Sequence, residues 1–196
     1  MRIGLLGGSF NPAHEGHRHI SLLALKHLHL DELWWLVSPQ NPLKSTNDMA
    51  PFAERLASAR AMARHPRIRV SDIESRLHTR YTADTLHALR ARFPQTRFVW
   101  LMGADNLAQI PRWERWTEIF QSVPIAVFDR ATYSYRALAG KAAQRFAKKR
   151  IEGRNAATLA DHKAPAWVYF HARRHPASAS SIRARHAKSR ALSRRT

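Results

Sequence analysis

A chain of 196 residues with 44% hydrophobic side chains suits one folded domain with a sizeable core, and no apolar run nears the roughly 20 residues of a membrane span. The absence of cysteine excludes disulfides and thiolate metal sites, and the opening MRIGLLGGSF lacks the apolar region and cleavage site of a signal peptide, so a cytoplasmic location is expected. The formal charge of +19 is uneven: residues 1–130 hold 17 Lys and Arg against 12 Asp and Glu, whereas residues 131–196 hold 16 against 2.

In chain order, Ile3 to Leu6 reads as a strand and His17 to His29 as a helix with Ile20, Leu23, Ala24, His27 and Leu28 on one stripe. Glu32 to Val37 (ELWWLV) is a second strand, followed by a loop rich in Pro, Asn and Ser from Ser38 to Pro51. Pro51 suits the first turn of a helix running to Arg64. Ile68 to Val70 is a short strand, and Thr82 to Arg92 a helix with a Thr or Ser cap at its start. Phe98 to Met102 forms the next strand, Pro111 to Gln121 a helix, Ile125 to Phe128 a strand, and Tyr135 to Arg150 a basic helix. Ala166 to Phe170 is the last strand, with a helix from about Ser180. This alternation predicts an α/β fold: a single Rossmann-like, doubly wound domain over residues 1–196, with a mainly parallel sheet and helices on both faces.

The most informative stretch is Gly7 to His17, GGSFNPAHEGH, where a strand hands over to a helix. Ligands bind at such strand ends, and a helix start offers unpaired N–H groups suited to phosphate. Gly7 and Gly8 admit close backbone approach, Pro12 fixes the turn, and Gly16 keeps the space between His14 and His17 open. Three residues apart, the two histidines share one face of the first turn. The stretch is neither a P-loop, which ends in Gly-Lys-Ser/Thr, nor a GxGxxG dinucleotide fingerprint.

Other candidate segments also fall at strand ends or helix starts. Lys44, in Asn41-Pro42-Leu43-Lys44, is by itself an exposed loop lysine. Thr79 to Leu86 reads equally as a capped helix, and Trp113 with Trp116 as core packing or a ring-stacking platform. Ser178 and Ser180 fit a helix cap or a phosphate contact, and Arg183 can hold phosphate oxygens with two prongs. Few aromatics lie among the C-terminal basic runs, which reads as a solvated face or tail and argues against nucleic acid as a partner, although the positive field still draws polyanions.

At Gly7, Ser9, Phe10, Pro12, His14, Gly16 and His17 the chain resembles the HxGH nucleotidyltransferase superfamily. YTADTL at 81–86, MGADNL at 102–107, Trp113 with Trp116, and the Ser-rich segment before Ile182-Arg183 resemble its nicotinate mononucleotide adenylyltransferase branch. That last segment, ASASSIR at 177–183, departs from the family's ISSTxIR, and residues 184–196 are short and basic where relatives continue with an apolar stretch. This tail is either unstructured or folded over the ATP phosphates.

The resemblance implies adenylyl transfer from ATP to nicotinic acid mononucleotide, with pyrophosphate released. The attacking phosphate is already an anion, so no general base is needed; the site must align two polyanions and spread charge on the phosphoryl oxygens. His14, His17, Lys44 and Arg183 are the expected catalytic set. Gly7, Gly8, Ser9, Phe10, Gly16, Ser178, Ser180 and Ile182 join His14, His17 and Arg183 around ATP. Asn11, Lys44, Tyr81, Thr82, Ala83, Gly103, Asp105 and Trp113 fall to the acceptor, with Trp113 on the pyridine ring, Thr82 on the carboxylate and Asp105 on ribose. No side-chain metal site is expected, and Mg2+ would arrive on the ATP phosphates. Nicotinamide mononucleotide or phosphopantetheine as acceptor stays open, as does, more remotely, a basic nucleic-acid-binding protein.

Overall fold

The computed structural model describes residues 1–39, 49–129 and 134–171. Lys44, Ser178, Ser180, Ile182 and Arg183, with the helix expected from Ser180, lie outside the described residues. Strand β1 (Arg2–Gly8) leads through a loop to α1 (Glu15–His27), then β2 (Glu32–Val37), α2 (Phe52–Ala63) and β3 (Ile68–Ser71). A short α3 (Ile73–Arg76) precedes α4 (Thr82–Arg92), β4 (Arg97–Gly103), α5 (Ala104–Gln109), α6 (Trp116–Ser122) and β5 (Ile125–Phe128). The last elements are α7 (Ser134–Leu138), α8 (Lys141–Arg145), β6 (Arg150–Ile151) and β7 (Trp167–Phe170).

Seven strands form one sheet in the order β3-β2-β1-β4-β5-β7-β6, and every pairing is parallel. Parallel strands covered on both faces must be apolar on both, which is why ELWWLV and RFVWLM lack a polar alternation. Successive side chains separate the two cores. Ile3, Leu5, Phe98, Trp100 and Met102 pack on one side with Leu86 and Leu89 of α4 and Leu107 of α5. Leu6, Leu33, Trp35, Val99 and Leu101 pack on the other with Ala24 and Leu25 of α1 and Ala59 of α2. Burying each such aliphatic side chain contributes roughly 1.5–3 kcal/mol. The strand order runs outward in both directions from β1, so the crevice beyond the C-terminal ends of β1 and β4 is the topological switch point.

Some boundaries differ from expectation for physical reasons. The helix expected over 111–121 begins only at Trp116, because Ile110–Arg112 is a 3-10 turn containing Pro111 and Arg115 adopts a left-handed φ of 48°. The helix expected over 135–150 is broken at Gly140, where an added Cβ would meet the Arg136 and Ala137 carbonyl oxygens at 3.1 and 3.2 Å. Thr82 does begin α4, but as its first helical residue: the cap is Tyr81, which makes no side-chain capping bond. Pro51 likewise stands at the cap position of α2 and not inside it. The short α3, α5 and β6 and a 3-10 segment over Gly153–Asp161 complete the chain. Among the described residues no helix is long and apolar enough to cross a membrane.

Candidate active site

The loop between β1 and α1 ends in an unusual helix cap. His14 occupies the cap position with φ −151° and ψ 166°, and its Nδ1 accepts the Gly16 N–H at 3.1 Å. The His14 N–H in turn donates to His17 Nδ1 at 3.2 Å, completing a capping box in which histidines replace the usual Ser and Glu. The rings stack with centroids 3.8 Å apart. The expected juxtaposition of the two histidines is therefore present. With each Nδ1 accepting a backbone N–H, the uncharged form of either ring is the tautomer that carries its proton on Nε2, on the side away from the cap bond. Of the helix-start amides expected to be unpaired, the Gly16 N–H is spent on His14, and the His17 N–H donates to the His14 carbonyl at 2.9 Å.

Aromatic residues hold this box in place. Phe10, 2% exposed and at a left-handed φ of 46°, stacks on Trp35 at 5.0 Å and lies 4.8 Å from the His17 ring. Such a backbone conformation costs about 1–3 kcal/mol and persists only where packing enforces it. The buried Phe10 ring thus supports His17. Trp35 is anchored by a chain running from its Nε1 to Ser21 Oγ and on to the His17 carbonyl, both links 2.8 Å. Asn11 Oδ1 accepts the Ala50 N–H at 3.2 Å, tying the loop to the start of α2. The Ser9 carbonyl accepts from Arg55 at 2.7 Å.

Beside the histidines, at the switch point, lies a pocket of about 210 Å³. Its walls are Gly7 and Gly8 of β1, Ser38 beyond β2, Glu74 of α3, Arg80 to Thr82 ahead of α4, Trp100 of β4, and Arg112 to Glu114 between α5 and α6. A Cβ at Gly7 would come within 2.4 Å of the Trp100 ring, so glycine here serves the indole's close packing. Trp100 Nε1 is buried and has no hydrogen-bond partner among the described residues. Asp84 of α4 and Arg115 form an ion pair that ties the Thr82 wall to the Trp113 wall. The two tryptophans divide: Trp113 lines the pocket, while Trp116 packs edge-on against Phe120 and Phe146. Tyr81 and Thr82 are in the wall, whereas Ala83 is buried in the core at 3% exposure. Gly103 ends β4 and Asp105 begins the first turn of α5, next to the pocket strand Trp100 but outside the pocket lining.

Two buried charged residues were not anticipated. Arg55, 2% exposed, spans four backbone carbonyls of the loops around the histidines. A signal existed: it is in phase, at intervals of four, with buried Ala59 and Ala63. Glu74, 8% exposed, receives the Thr85 hydroxyl at 3.5 Å and that of Ser38. Burial pushes its pKa from 4.5 up to about 7, against the lowering effect of both hydroxyls. A raised carboxyl pKa means that the folded state holds the proton more tightly, so stability from this group falls as pH rises from 4.5 to about 7 and is level beyond. Glu74→Gln, which never ionises, is expected to match wild type near pH 4.5 and to exceed it by about 3 kcal/mol at pH 8. Urea unfolding at the two pH values checks this; equal stabilities at pH 8 would refute the ionisation penalty.

A model of the cytidylyltransferase-like family matches residues 5–185. A relative in Parvibaculum lavamentivorans, named "Probable nicotinate-nucleotide adenylyltransferase", is 56% identical over 185 residues, covering 94% of this chain and 92% of that protein. One of the same name in Brucella abortus is 46% identical over 183 residues, covering 93% and 94%. Among solved structures, the Plasmodium falciparum nicotinic acid mononucleotide adenylyltransferase complexed with NaAD superposes with a TM-score of 0.67 at 18% identity, covering 93% of this chain and 82% of that one. At that identity the likeness speaks to the fold. By its matched family model and by these relatives, the chain belongs to the cytidylyltransferase-like family, in the nicotinate-nucleotide adenylyltransferase branch.

Proposed function

We infer that the protein transfers the adenylyl group of ATP to nicotinic acid mononucleotide, forming nicotinic acid adenine dinucleotide and pyrophosphate, a step of NAD biosynthesis. The observation that carries this reading is the meeting, at the sheet's switch point, of a two-histidine donor cap and a pocket walled by Thr82, Arg112 and Trp113. The cap suits the ATP phosphates, and the pocket, with an aromatic wall and cations at its edge, suits a ring bearing a carboxylate.

In the reaction a phosphate oxygen of the mononucleotide attacks the α-phosphorus and pyrophosphate departs. His14 and His17 donate through Nε2–H to the phosphoryl oxygens, where negative charge grows in the transition state. Gly7, Gly8, Ser9 and Gly16 form the backbone of this cradle, and Phe10 braces it. Lys44 and Arg183 supply further cations in this reading, with Ser178, Ser180 and Ile182 on the ATP side. Thr82 and Tyr81 face the acceptor ring with Trp113. Gly103 at the C-terminal end of β4 and Asp105 in the first turn of α5 fall to the acceptor ribose in this reading, and Asn11 serves by holding the loop.

Magnesium prefers oxygen ligands, and the histidine cap is the wrong donor set for it. Among the described residues no group of three or more His, Asp or Glu could hold a metal. We place Mg2+ on the ATP phosphates, as part of the MgATP substrate. We further propose a cytoplasmic location and a single nucleotidyltransferase domain over 1–196.

Pyrophosphate release from ATP, measured with nicotinic acid mononucleotide, nicotinamide mononucleotide and phosphopantetheine in turn, tests the reading. Turnover is expected to be fastest with the first; no turnover with any of them overturns it. Nicotinic acid mononucleotide is also expected to quench tryptophan fluorescence in wild type but much less in Trp113→Phe. Undiminished quenching in that variant would remove Trp113 from the acceptor wall.

A further inference from the structure

Adenylyl transfer needs no carboxylate, yet one is built into the acceptor pocket. Among the described residues Glu74, 8% exposed, accepts only from the hydroxyls of Ser38 and Thr85 and takes part in no ion pair. Thr85 is itself fully buried and shares a hydrogen bond of 2.9 Å with Thr79, so the carboxyl is held by a fixed hydroxyl cluster. The other charged or titratable groups facing this pocket are Arg80 and Tyr81 ahead of α4 and Arg112 and Glu114 between α5 and α6. On its own element, Arg76 is paired with Asp72. Arg80, Arg112 and Glu114 are all exposed and screened by water, whereas Glu74 is not.

We propose that Glu74 sets the pocket's choice between an acid and an amide on the acceptor ring, standing protonated beside a ring carboxylate and ionised beside a ring carboxamide. The proposal rests on the reading of this pocket as the acceptor site. In about 210 Å³ two carboxylates cannot both ionise cheaply, so a ring carboxylate draws a proton onto Glu74, whose O–H then becomes a donor to it. A carboxamide offers N–H donors instead and favours the ionised form as acceptor. Burial already brings the two forms of Glu74 close to balance near neutral pH. Preference between acid and amide therefore depends on pH.

The test compares kcat/KM for nicotinic acid and nicotinamide mononucleotides in wild type and Glu74→Gln from pH 6 to 9. Both acceptors carry the same ribose phosphate, so its titration cancels in their ratio. In wild type the acid-to-amide ratio is expected to fall with rising pH, approaching tenfold per unit, and in Glu74→Gln to stay level. A level ratio in wild type, or a slope that survives in the variant, overturns the proposal. Calorimetric titration of each protein with nicotinic acid mononucleotide at pH 7.5, in two buffers of different ionisation enthalpy, reads the same effect without turnover. Wild type is expected to take up on the order of half a proton more than the variant, and equal uptake overturns the proposal. Absence of binding and turnover with both mononucleotides at every pH would instead overturn the acceptor reading itself.

Discussion

Replacing His17 by alanine is expected to lower kcat about 100- to 1,000-fold while the protein stays folded. Each preorganised donor to a developing oxyanion is worth roughly 2.7–4 kcal/mol of transition-state stabilisation, which is that factor in rate. The capping box complicates the experiment, because both histidines also hold the start of α1. Removing His17 leaves the His14 N–H without its acceptor, at a stability cost of about 1 kcal/mol. His14→Asn separates the two roles. Asparagine is among the best N-cap residues, so the helix start keeps its acceptor for the Gly16 N–H, but its amide NH2 stops short of the position of Nε2–H. This variant is expected to unfold within about 1 kcal/mol of wild type and to lose kcat by a factor similar to His17→Ala. His14→Ala should lose both catalysis and the cap. Steady-state pyrophosphate release and thermal unfolding of the three variants check the scheme; wild-type kcat in His14→Asn would show that His14 serves only as a helix cap.

Much of this geometry was readable in the sequence, and the boundary of legibility has physical causes. Long periodic or wholly apolar segments announce themselves: β2, β5 and α4 begin and end where pattern and composition place them. The nearness of His14 and His17 follows from i, i+3 spacing at a helix start, whatever the tertiary structure. Helices of four to six residues, such as α3 and α5, complete less than two turns, and the two-residue β6 a single alternation, too little of a period to be distinguished from loops. The start of α6 depends on a left-handed Arg115, whose side chain pairs with Asp84 thirty-one residues away, and no local pattern reports either feature. Glu74 and Arg55 are hidden for a different reason. Charged side chains are read as surface by default, and their burial becomes visible only once carbonyls and hydroxyls from distant segments converge on them. The residues least legible in the sequence are thus the two whose buried charges shape the site.

Arg55 carries the second large prediction: Arg55→Met is expected to lower stability by about 4 kcal/mol and kcat about 100-fold together. Its Nε donates to the Ala50 carbonyl at 3.0 Å, one terminal nitrogen to Ser9 and Ser38 at 2.7 and 2.8 Å, and the other to Pro39 at 2.7 Å. Hydrogen bonds from a charged donor are worth roughly 1.5–3 kcal/mol each. Shared by one side chain they do not add fully, and loops near the surface can recover some water once released. For a chain of this size a loss of about 4 kcal/mol corresponds to a fall in Tm of about 8–16 °C. The catalytic effect follows from what the four carbonyls belong to. Ser9 is in the loop that delivers His14, Ser38 and Pro39 directly follow β2 beside the pocket, and Ala50 leads into α2, where its N–H also holds Asn11. A planar guanidinium reaches all of them at fixed angles; a lysine ammonium in the same place keeps the charge but cannot reproduce the fork. Arg55→Lys is therefore expected to fall between wild type and Arg55→Met in both Tm and kcat. Arg60, exposed on the same helix, is the control: Arg60→Met should change stability by no more than about 0.5 kcal/mol. If Arg55→Met matched Arg60→Met in Tm and kept wild-type kcat, the two loops would have to be held by something other than this buried charge.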